Sequence, residues 1–561
     1  MTACNDDDND DECQATSLSS PELEVFEIER HNNDEAGMIQ ERRPFIRRLK
    51  LSTCWIVKLA TFALIIPLAM ALRGTLSDEN RTAAASWSLE QSITTCPRQE
   101  MFLLSTTNSL LTSSSSSPNK ETASDNEKEE SSQKLVIDIQ PQTRLQPMEG
   151  FGVCLTGASA QHLAGMTPAA RQALLRELFG KDQGQLNISL LRLSIGASDL
   201  EEYPFSYNDL PPDEQDDMDL VHFSLGPHET HLIPIIQEIL QINPNIRFLA
   251  SPWSAPPWMK SDREFRGGSL LPEYYNVYAQ YFVRYIQAMQ EHGIAIDMIT
   301  VQNEPLYGGN TPSMVLTAAQ EIEFVRDALA PTLSAAGLTT TKIIVYDHNP
   351  DRMDYPLQIL DDPTVSPFVH GSAFHLYVGE IESLSRIHEA HPDKAIYFTE
   401  QWVSSDGAFE PDLFWHAEHV FLGAPRNWAR AVLEWNLSSN ADLTPYTTPG
   451  GCSLCLGAVT IDGDQVTRNV VYYLLSHVSP FVPLNSVRVT SSDVSKAGVV
   501  NVCFLTPQGR LVVVLANLFE DAVQVKLKIQ GTRVPLELLG RSLSTLVFAS
   551  TESSSSNSKP P

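Results

Sequence analysis

Between residues 149 and 437, short apolar runs alternate with longer stretches of helical period. A run such as IAIDMITV (294–301) is apolar on both faces, the pattern of a strand buried inside a parallel sheet. Eight such strands are expected: EGFGVCLTG (149–157), SLLRLSIGASD (189–199), IRFLASPWSAP (246–256), DMITVQNEP (297–305), TKIIVYDHN (341–349), GSAFHLYVG (371–379), AIYFTEQW (395–402) and ARAVLEWNL (429–437). Helices fill several gaps. TPAARQALLRELFG offers Thr167 as N-cap, Pro168 in the first turn and Gly180 as a stop, and EYYNVYAQYFVRYIQAMQEHG ends at Gly293. This alternation predicts an α/β fold, a (β/α)8 TIM barrel over residues 149–483. A doubly wound open sheet is the alternative, but no Gly-rich phosphate-binding turn follows any of the strands.

Past residue 484 the period changes to two, in SVRVTSS, GVVNVCFLTPQGRLVVVLANL and AVQVKLKIQGTRVPLELLGRSLSTLVFA, with Pro507-Gln508-Gly509 as a turn. An antiparallel β-sandwich is expected over residues 484–549. The strand-like KLVIDIQ (134–140) places segment 134–148 with it, so the second domain draws on both sides of the barrel.

The N-terminal region has a different texture. LSTCWIVKLATFALIIPLAMAL (51–72) is interrupted by a single lysine, Lys58. As a helix it would span roughly 33 Å, enough for a bilayer, with Lys58 reaching the interface. The basic stretch ERRPFIRRLK (41–50) precedes it, which puts residues 1–50 in the cytosol and the bulk of the chain in the secretory lumen or outside. The expectation is a single-pass type II signal anchor. The alternative is secretion after cleavage near Ala71, at the AMA of 69–71; a buried helix is the third reading. Residues 73–133 read as a Ser-rich stalk, while DDDNDDE (6–12) and the tail 550–561 read as disordered.

The chain has 561 residues and 42% hydrophobic composition, with 39 basic side chains against 69 acidic ones. That balance, and the lack of a basic stripe in the globular part, argue against nucleic acid as a partner. The sequence specifies no protein partner. Eight cysteines are too few for a disulfide scaffold. Cys452 and Cys455 in GGCSLCLG have no second pair at zinc spacing, so a local disulfide or a packed loop is expected over a metal. Asn80, Asn187 and Asn436 begin glycosylation sequons, of which Asn80 alone lies in an evidently exposed segment.

In such a barrel the working groups sit at the C-terminal ends of the strands. Here those ends carry Asn303-Glu304-Pro305, His375-Leu376-Tyr377, Thr399-Glu400-Gln401-Trp402 and Glu434-Trp435-Asn436, with Trp253 and Trp258 after the third strand. Two carboxylates, indoles and amides on one rim suit glycoside hydrolysis: aromatic faces stack on a pyranose, amides bond its hydroxyls, and two carboxyl groups flank the scissile bond. A strand-end glutamate alone is as well explained by a structural ion pair. Glu434 and Asp199 are competing carboxylates read as structural. His222, His228 and His231 read as surface or packing histidines, and His375 as a partner of sugar or carboxylate.

The stretches GFGVCLTGASA, ASPWSAPPWMKS, VQNEPLYGG, AFHLYVGE, YFTEQW, LEWNL and GGCSLCLGAVTIDGDQVTRNVVYYLLSHVSPFVPLNSVRV resemble, in order, the motifs of glycoside hydrolase family 30, the glucosylceramidase family, over residues 135–548. The resemblance implies a barrel joined to a β-sandwich and a retaining β-glycosidase that needs no metal or other cofactor. It implies that Glu304 is the acid/base, Glu400 the nucleophile, Asn303 the amide at the sugar's 2-hydroxyl, Tyr377 a phenol beside the nucleophile, and Trp253 and Trp435 sugar-contacting indoles. One departure is that Gly157 in TGASA stands where a TDAAA motif carries an aspartate expected to bond the sugar. The expected substrate is a β-glucoside, glucosylceramide in sphingolipid metabolism. The alternatives are a β-1,6-glucanase acting on polysaccharide, suggested by the glycine form and the GGCxxC loop, and an inactive carbohydrate-binding protein. A charged Glu400 is expected to raise the pKa of Glu304.

Overall fold

In the computed structural model, residues 87–97, 101–105 and 135–550 are described. The expected cytosolic tail, the anchor of 51–72, the cleavage site near Ala71, Asn80 and residues 551–561 lie outside them. Among the described residues no helix is long and apolar enough to cross a membrane.

Three strands precede the barrel: β1 (Trp87–Cys96), β2 (Met101–Ser105) and β3 (Leu135–Pro147). The barrel strands are β4 (Gly150–Cys154), β5 (Leu190–Ile195), β6 (Arg247–Pro252), β7 (Met298–Thr300), β8 (Lys342–His348), β9 (Val369–His375), β10 (Ala395–Glu400) and, after the short β11 (Val403–Ser404), β12 (Ala429–Glu434). They are parallel and close in the order β10-β12-β4-β5-β6-β7-β8-β9. Each falls inside or within two residues of an expected run, because strands covered on both faces tolerate little but apolar side chains. Helix Pro168–Phe179 begins as expected, the Thr167 side chain accepting from the Ala170 amide.

Small residues at Ala373, Ala395 and Ala431 line the barrel interior and leave room for the Tyr397 ring. Its hydroxyl donates to Glu149 (3.1 Å) at the floor, where Lys342 (2.9 Å) and Arg247 (3.0 Å) also converge. Burial pushes the Glu149 carboxyl up, but Lys342 and Arg247 outweigh it and hold the group at about 2. The interior is closed at this end, so the opposite mouth is the open one.

Beyond β12 come β13 (Ser438–Ser439), β14 (Cys455–Leu456), β15 (Val459–Asp462) and β16 (Gln465–Arg468), followed by β17 (Val487–Ser491), β18 (Val499–Leu505), β19 (Leu511–Asn517), β20 (Val523–Ile529), β21 (Thr532–Leu538) and β22 (Ser542–Ser550). The second domain is a nine-stranded sheet in the order β2-β1-β22-β19-β18-β17-β3-β20-β21. On β18 and β19, Val499, Cys503, Leu511, Val513 and Leu515 face this domain's own core, while Val500, Val502, Phe504, Val512 and Val514 join the barrel's core. Phe504 meets Phe151 of β4 edge-on, with ring centroids 6.3 Å apart. Each such side chain contributes ~1.5–3 kcal/mol when fully buried, so the alternation welds the two domains.

Two expectations need correction. The sheet is not wholly antiparallel, because β3 and β20 run parallel. The stalk assigned to 73–133 is not all stalk: β1 pairs antiparallel with β22 from Trp87 opposite Ser550 to Thr95 opposite Leu543, and β2 extends it. Covering the edge of β22 protects its hydrogen-bonding groups, which a polar linker could not do. Asn436 is buried and Asn187 half-buried.

Candidate active site

Arg192 is the third residue of LLRLSI, a strand whose every residue is buried. A guanidinium there must be neutralised. It contacts Glu400 and donates to Asn303 Oδ1 (2.7 Å) and Asp347 Oδ2 (2.8 Å). Asp347 also accepts from Thr300 (2.8 Å), Ser251 (3.2 Å) and Thr399 (2.6 Å), and its Oδ1 lies 3.2 Å from His375 Nε2. The other ring nitrogen, Nδ1, is 3.2 Å from Glu304 Oε1 and 3.7 Å from Glu400 Oε1. One network therefore runs from β5 through β8 and β9 to both candidate catalytic carboxylates.

The backbone is bent to bring these groups together. Glu304, Tyr346 and Asp347 have φ of 47°, 74° and 66°, a region that costs side chains of this size on the order of 1–3 kcal/mol each. Hydrogen bonds hold the bends: Glu304 N donates to Asp347 O (3.0 Å), Tyr346 N to Glu321 Oε1 (3.2 Å), and Asn303 N to Pro252 O (2.8 Å). β7 ends at Thr300, so Asn303 and Glu304 lie on the turn that follows rather than on the strand.

Burial works against a cation at His375, but the charge of Glu400 and the hydrogen bonds to Asp347 and Glu304 raise it to about 9. Burial would raise Asp347, yet Arg192 and His375 hold it far below the usual carboxylate range. Burial would likewise raise Glu304, but the adjacent His375, with His348 and Arg192, brings it below its ordinary value. This corrects the expected direction: the imidazolium, not the Glu400 charge, dominates at Glu304. Asp199 is the carboxylate pushed up, to about 7, by burial and by the charge of Glu400.

A cleft of about 490 Å³ opens onto Glu304 and Glu400. Trp253, Trp435, Asp199 and the Cys452–Cys455 disulfide stand among its walls, with His348, Asn349, Tyr377 and Trp402, and the exposed Tyr307 and Val378. The Trp253 and Trp435 rings lie 5.3 Å apart at 34°, and the Arg192 guanidinium sits 4.8 Å from the Trp253 ring centre. The Tyr377 hydroxyl donates to Glu400 Oε1 (2.8 Å). The structure thus brings together Glu304, Glu400, Asn303, Trp253, His375, Tyr377 and Trp435.

Other candidates fall elsewhere. Trp258 is buried and donates to Asn208 O (3.0 Å). Glu434 is buried against His416 (2.7 Å). His228 is packed between Tyr207 (2.7 Å) and Glu201 (2.8 Å), while His222 pairs with Glu214 (2.8 Å) near the surface. Gly157 does not line the cleft. A Cβ there would stand 2.0 Å from the Glu201 carboxylate, whereas Asp199, read as structural from the sequence, lines the cleft.

Among the described residues, Glu304, His375 and Glu400 form the one cluster with donor atoms close enough for a metal ion, within 4.8 Å of one another. Both nitrogens of His375 face carboxylates, so the ring presents N–H groups rather than a lone pair. That donor set suits proton handling better than metal ligation. Arg192 and Asp347 are absent from the sequence candidates, although a charged residue inside LLRLSI and another inside IIVYDH were a signal for them.

Known proteins resemble this chain along both domains. The family model described as "Glycosyl hydrolase family 30 TIM-barrel domain" matches residues 148–482, and "Glycosyl hydrolase family 30 beta sandwich domain" matches residues 485–546. An endo-1,6-beta-D-glucanase, BGN16.3 of Trichoderma harzianum, is 33% identical over 417 residues, covering 71% of this chain and 83% of that protein. The lysosomal acid glucosylceramidase of Mus musculus is 27% identical over 415 residues, covering 68% and 77%. The solved structure of the endo-beta1,6-glucanase BT3312 aligns with a TM-score of 0.71 at 32% identity, covering 82% of this chain and 99% of that one.

Proposed function

The chain belongs to glycosyl hydrolase family 30 and is a glycoside hydrolase, and from that membership we propose that it cleaves β-1,6-glucosidic bonds of a glucan by double displacement, with retention at the anomeric carbon. The observation that carries the reading is the carboxyl spacing. Donor oxygens of Glu304 and Glu400 lie within 4.8 Å of each other, in keeping with the roughly 5–5.5 Å of retaining enzymes and short of the 6.5–9.5 Å that admits an inverting water.

In the first step a Glu400 oxygen attacks the anomeric carbon, the glycosidic C–O bond breaks, and Glu304 gives its proton to the departing oxygen. In the second, Glu304 takes a proton from water, which attacks the same carbon and frees Glu400. The proton that Glu304 delivers is the one it shares with His375, 3.2 Å away. Asn303 Oδ1 is occupied by Arg192, which leaves the amide NH2 to donate toward the 2-hydroxyl. Trp253 and Trp435 stack on the glucosyl ring, and Asp199 bonds its far hydroxyls.

The choice of glucan over glycolipid is supported by the higher identity to proteins named as endo-1,6-beta-D-glucanases. The second reading, glucosylceramide, draws on the 27% relative and on the exposed apolar Val378 at the cleft mouth. Turnover of a β-1,6-glucan against labelled glucosylceramide separates the two. Labelling with a 2-fluoro β-glucoside and peptide mapping tests mechanism and nucleophile together; a label on any residue but Glu400 overturns the assignment. We also retain the type II anchor as a proposal, tested by whether carbonate extraction leaves the chain in the membrane.

A further inference from the structure

The segment carrying the disulfide does more than close a loop. Thr447 N donates to the main-chain oxygen of Asp199 (2.9 Å), and Cys452 N donates to Asp199 Oδ2 (3.1 Å), so the segment grips that residue by backbone and side chain at once. It is anchored on two further barrel loops. Thr447 Oγ1 donates to Thr311 O, Thr311 Oγ1 donates to Pro449 O (2.5 Å), and Ser405 N donates to Leu454 O (2.9 Å), while β14 pairs with β11.

The two glycines before the first cysteine permit this seating. A Cβ on Gly451 would lie 2.7 Å from the Asp199 oxygen and 2.4 Å from Thr447 O, and one on Gly450, at φ 95°, would lie 2.5 Å from Gly309 O. Glycines that allow close approach also make the unstapled segment floppy. The staple is the 452–455 bridge, whose cysteines pack in one cluster with Trp253 and Trp435. Sulfur against indole is a favourable contact, and it sets the bridge beside the two sugar platforms.

We propose that the Cys452–Cys455 bridge is a positioning device for the glycone end of the cleft: it fixes the Cys452 amide on Asp199 and so sets how tightly the non-reducing glucosyl unit is held. This deepens the reading of the cleft as a β-glucosidase site and rests on it. The Cys452 amide bonds Asp199 rather than Glu304 or Glu400, so the bridge acts on binding that ground state and transition state share, which shows in KM rather than kcat.

The test uses the full chain, reduced with a water-soluble phosphine. The S–S bond takes two electrons and two protons to give two thiols, while phosphine and water give the phosphine oxide. Mass spectrometry confirms opening of the bridge, and KM, kcat and the Kd of a gluco-configured iminosugar are measured before reduction, after it and after reoxidation. The expected result is about a tenfold rise in KM and in Kd, the scale of one charge-assisted hydrogen bond, with kcat within twofold and full recovery on reoxidation. Cys452→Ser/Cys455→Ser should reproduce it. In Asp199→Asn, opening the bridge should change Kd by less than twofold, since the interaction it supports is already weakened. Unchanged Kd after complete reduction, a kcat that falls with the melting temperature, or additive losses in the Asp199→Asn background overturns the proposal. Failure of the parent reading shows differently, as no turnover of any β-glucoside by the untreated protein.

Discussion

Asp347→Asn tests the protonation of the site from a residue that the substrate does not touch. The substitution keeps the shape and removes one charge. Five groups converge on the carboxylate: Arg192, Thr300 and Ser251 on Oδ2, and His375 and Thr399 on Oδ1. An amide has one acceptor oxygen, so whichever way it turns its NH2 meets donors. Breaking a buried pair in this way costs about 3–5 kcal/mol. For a folded unit of roughly 430 residues, whose unfolding entropy is about 0.9 kcal/mol per kelvin, that lowers the melting temperature by about 3–6 °C.

The pH dependence is the sharper readout. His375 stands at about 9 against an ordinary 6.5, about 3 kcal/mol in favour of the imidazolium, and Asp347 contributes both a hydrogen bond and a charge. A raised histidine adds stability that is fully present below about pH 6.5 and lost as pH rises through 9. In Asp347→Asn that loss should come at lower pH, because His375 is left without the charge and the hydrogen bond of Asp347 that help to raise it. The proton shared by Glu304 and His375 leaves earlier too, so the basic limb of kcat/KM moves toward neutrality for substrates with poor leaving groups. Melting temperature and kcat/KM from pH 6 to 9.5 report both effects. A variant that keeps the wild-type basic limb and the wild-type slope of stability with pH refutes the network.

Glu304→Gln should slow cleavage of poor leaving groups by about 10²–10⁴-fold while sparing activated fluorides, and Glu400→Gln should yield no covalent adduct by intact mass; full activity in either sinks the two roles. Glu149, held at about 2, stabilises the fold above pH 4.5 and loses that effect as pH falls toward 2, so Glu149→Gln should cost about 3 kcal/mol at pH 7 and far less at pH 2 in denaturant titrations. Equal losses at both pH values would contradict that assignment. A chain shortened to begin at residue 134 bares the edge of β22 and removes Thr95 Oγ1, 3.0 Å from His477 Nε2. It should melt lower and associate in light scattering, and an unchanged monomer would refute the role given to β1.

What could be read from the sequence follows from how local each signal is. The eight barrel strands were legible because burial on both faces leaves its mark within a few residues. The strand β1 was not: WSLEQSITTC sits next to a Ser-rich stretch, and its partner β22 is more than 400 positions away, with Trp87 opposite Ser550. Glu304 and Glu400 stood out because each occupies a strand exit. Asp199 occupies one too, but the chain gave no way to know that the disulfide segment would fold over it and carry it into the cleft.

The same locality explains the sign of the Glu304 shift. Two glutamates facing each other suggest mutual repulsion, which would raise one of them. In the folded protein Glu304, Glu400 and Asp347 are joined by two buried cations, Arg192 from β5 and His375 from β9, neither of which lies near Glu304 in sequence. Three carboxylates against two cations leave one net negative charge, and Asp199 brings a fourth carboxylate toward it. Asp199, whose carboxylate accepts from the Cys452 amide, is raised to about 7 by burial and by the charge of Glu400. Below that pH a neutral Asp199 offers the sugar a donor as well as an acceptor, and above it an acceptor alone. Glycone affinity should therefore weaken as pH rises through 7 while the Glu304–His375 proton is still in place, so binding and chemistry titrate in separate windows.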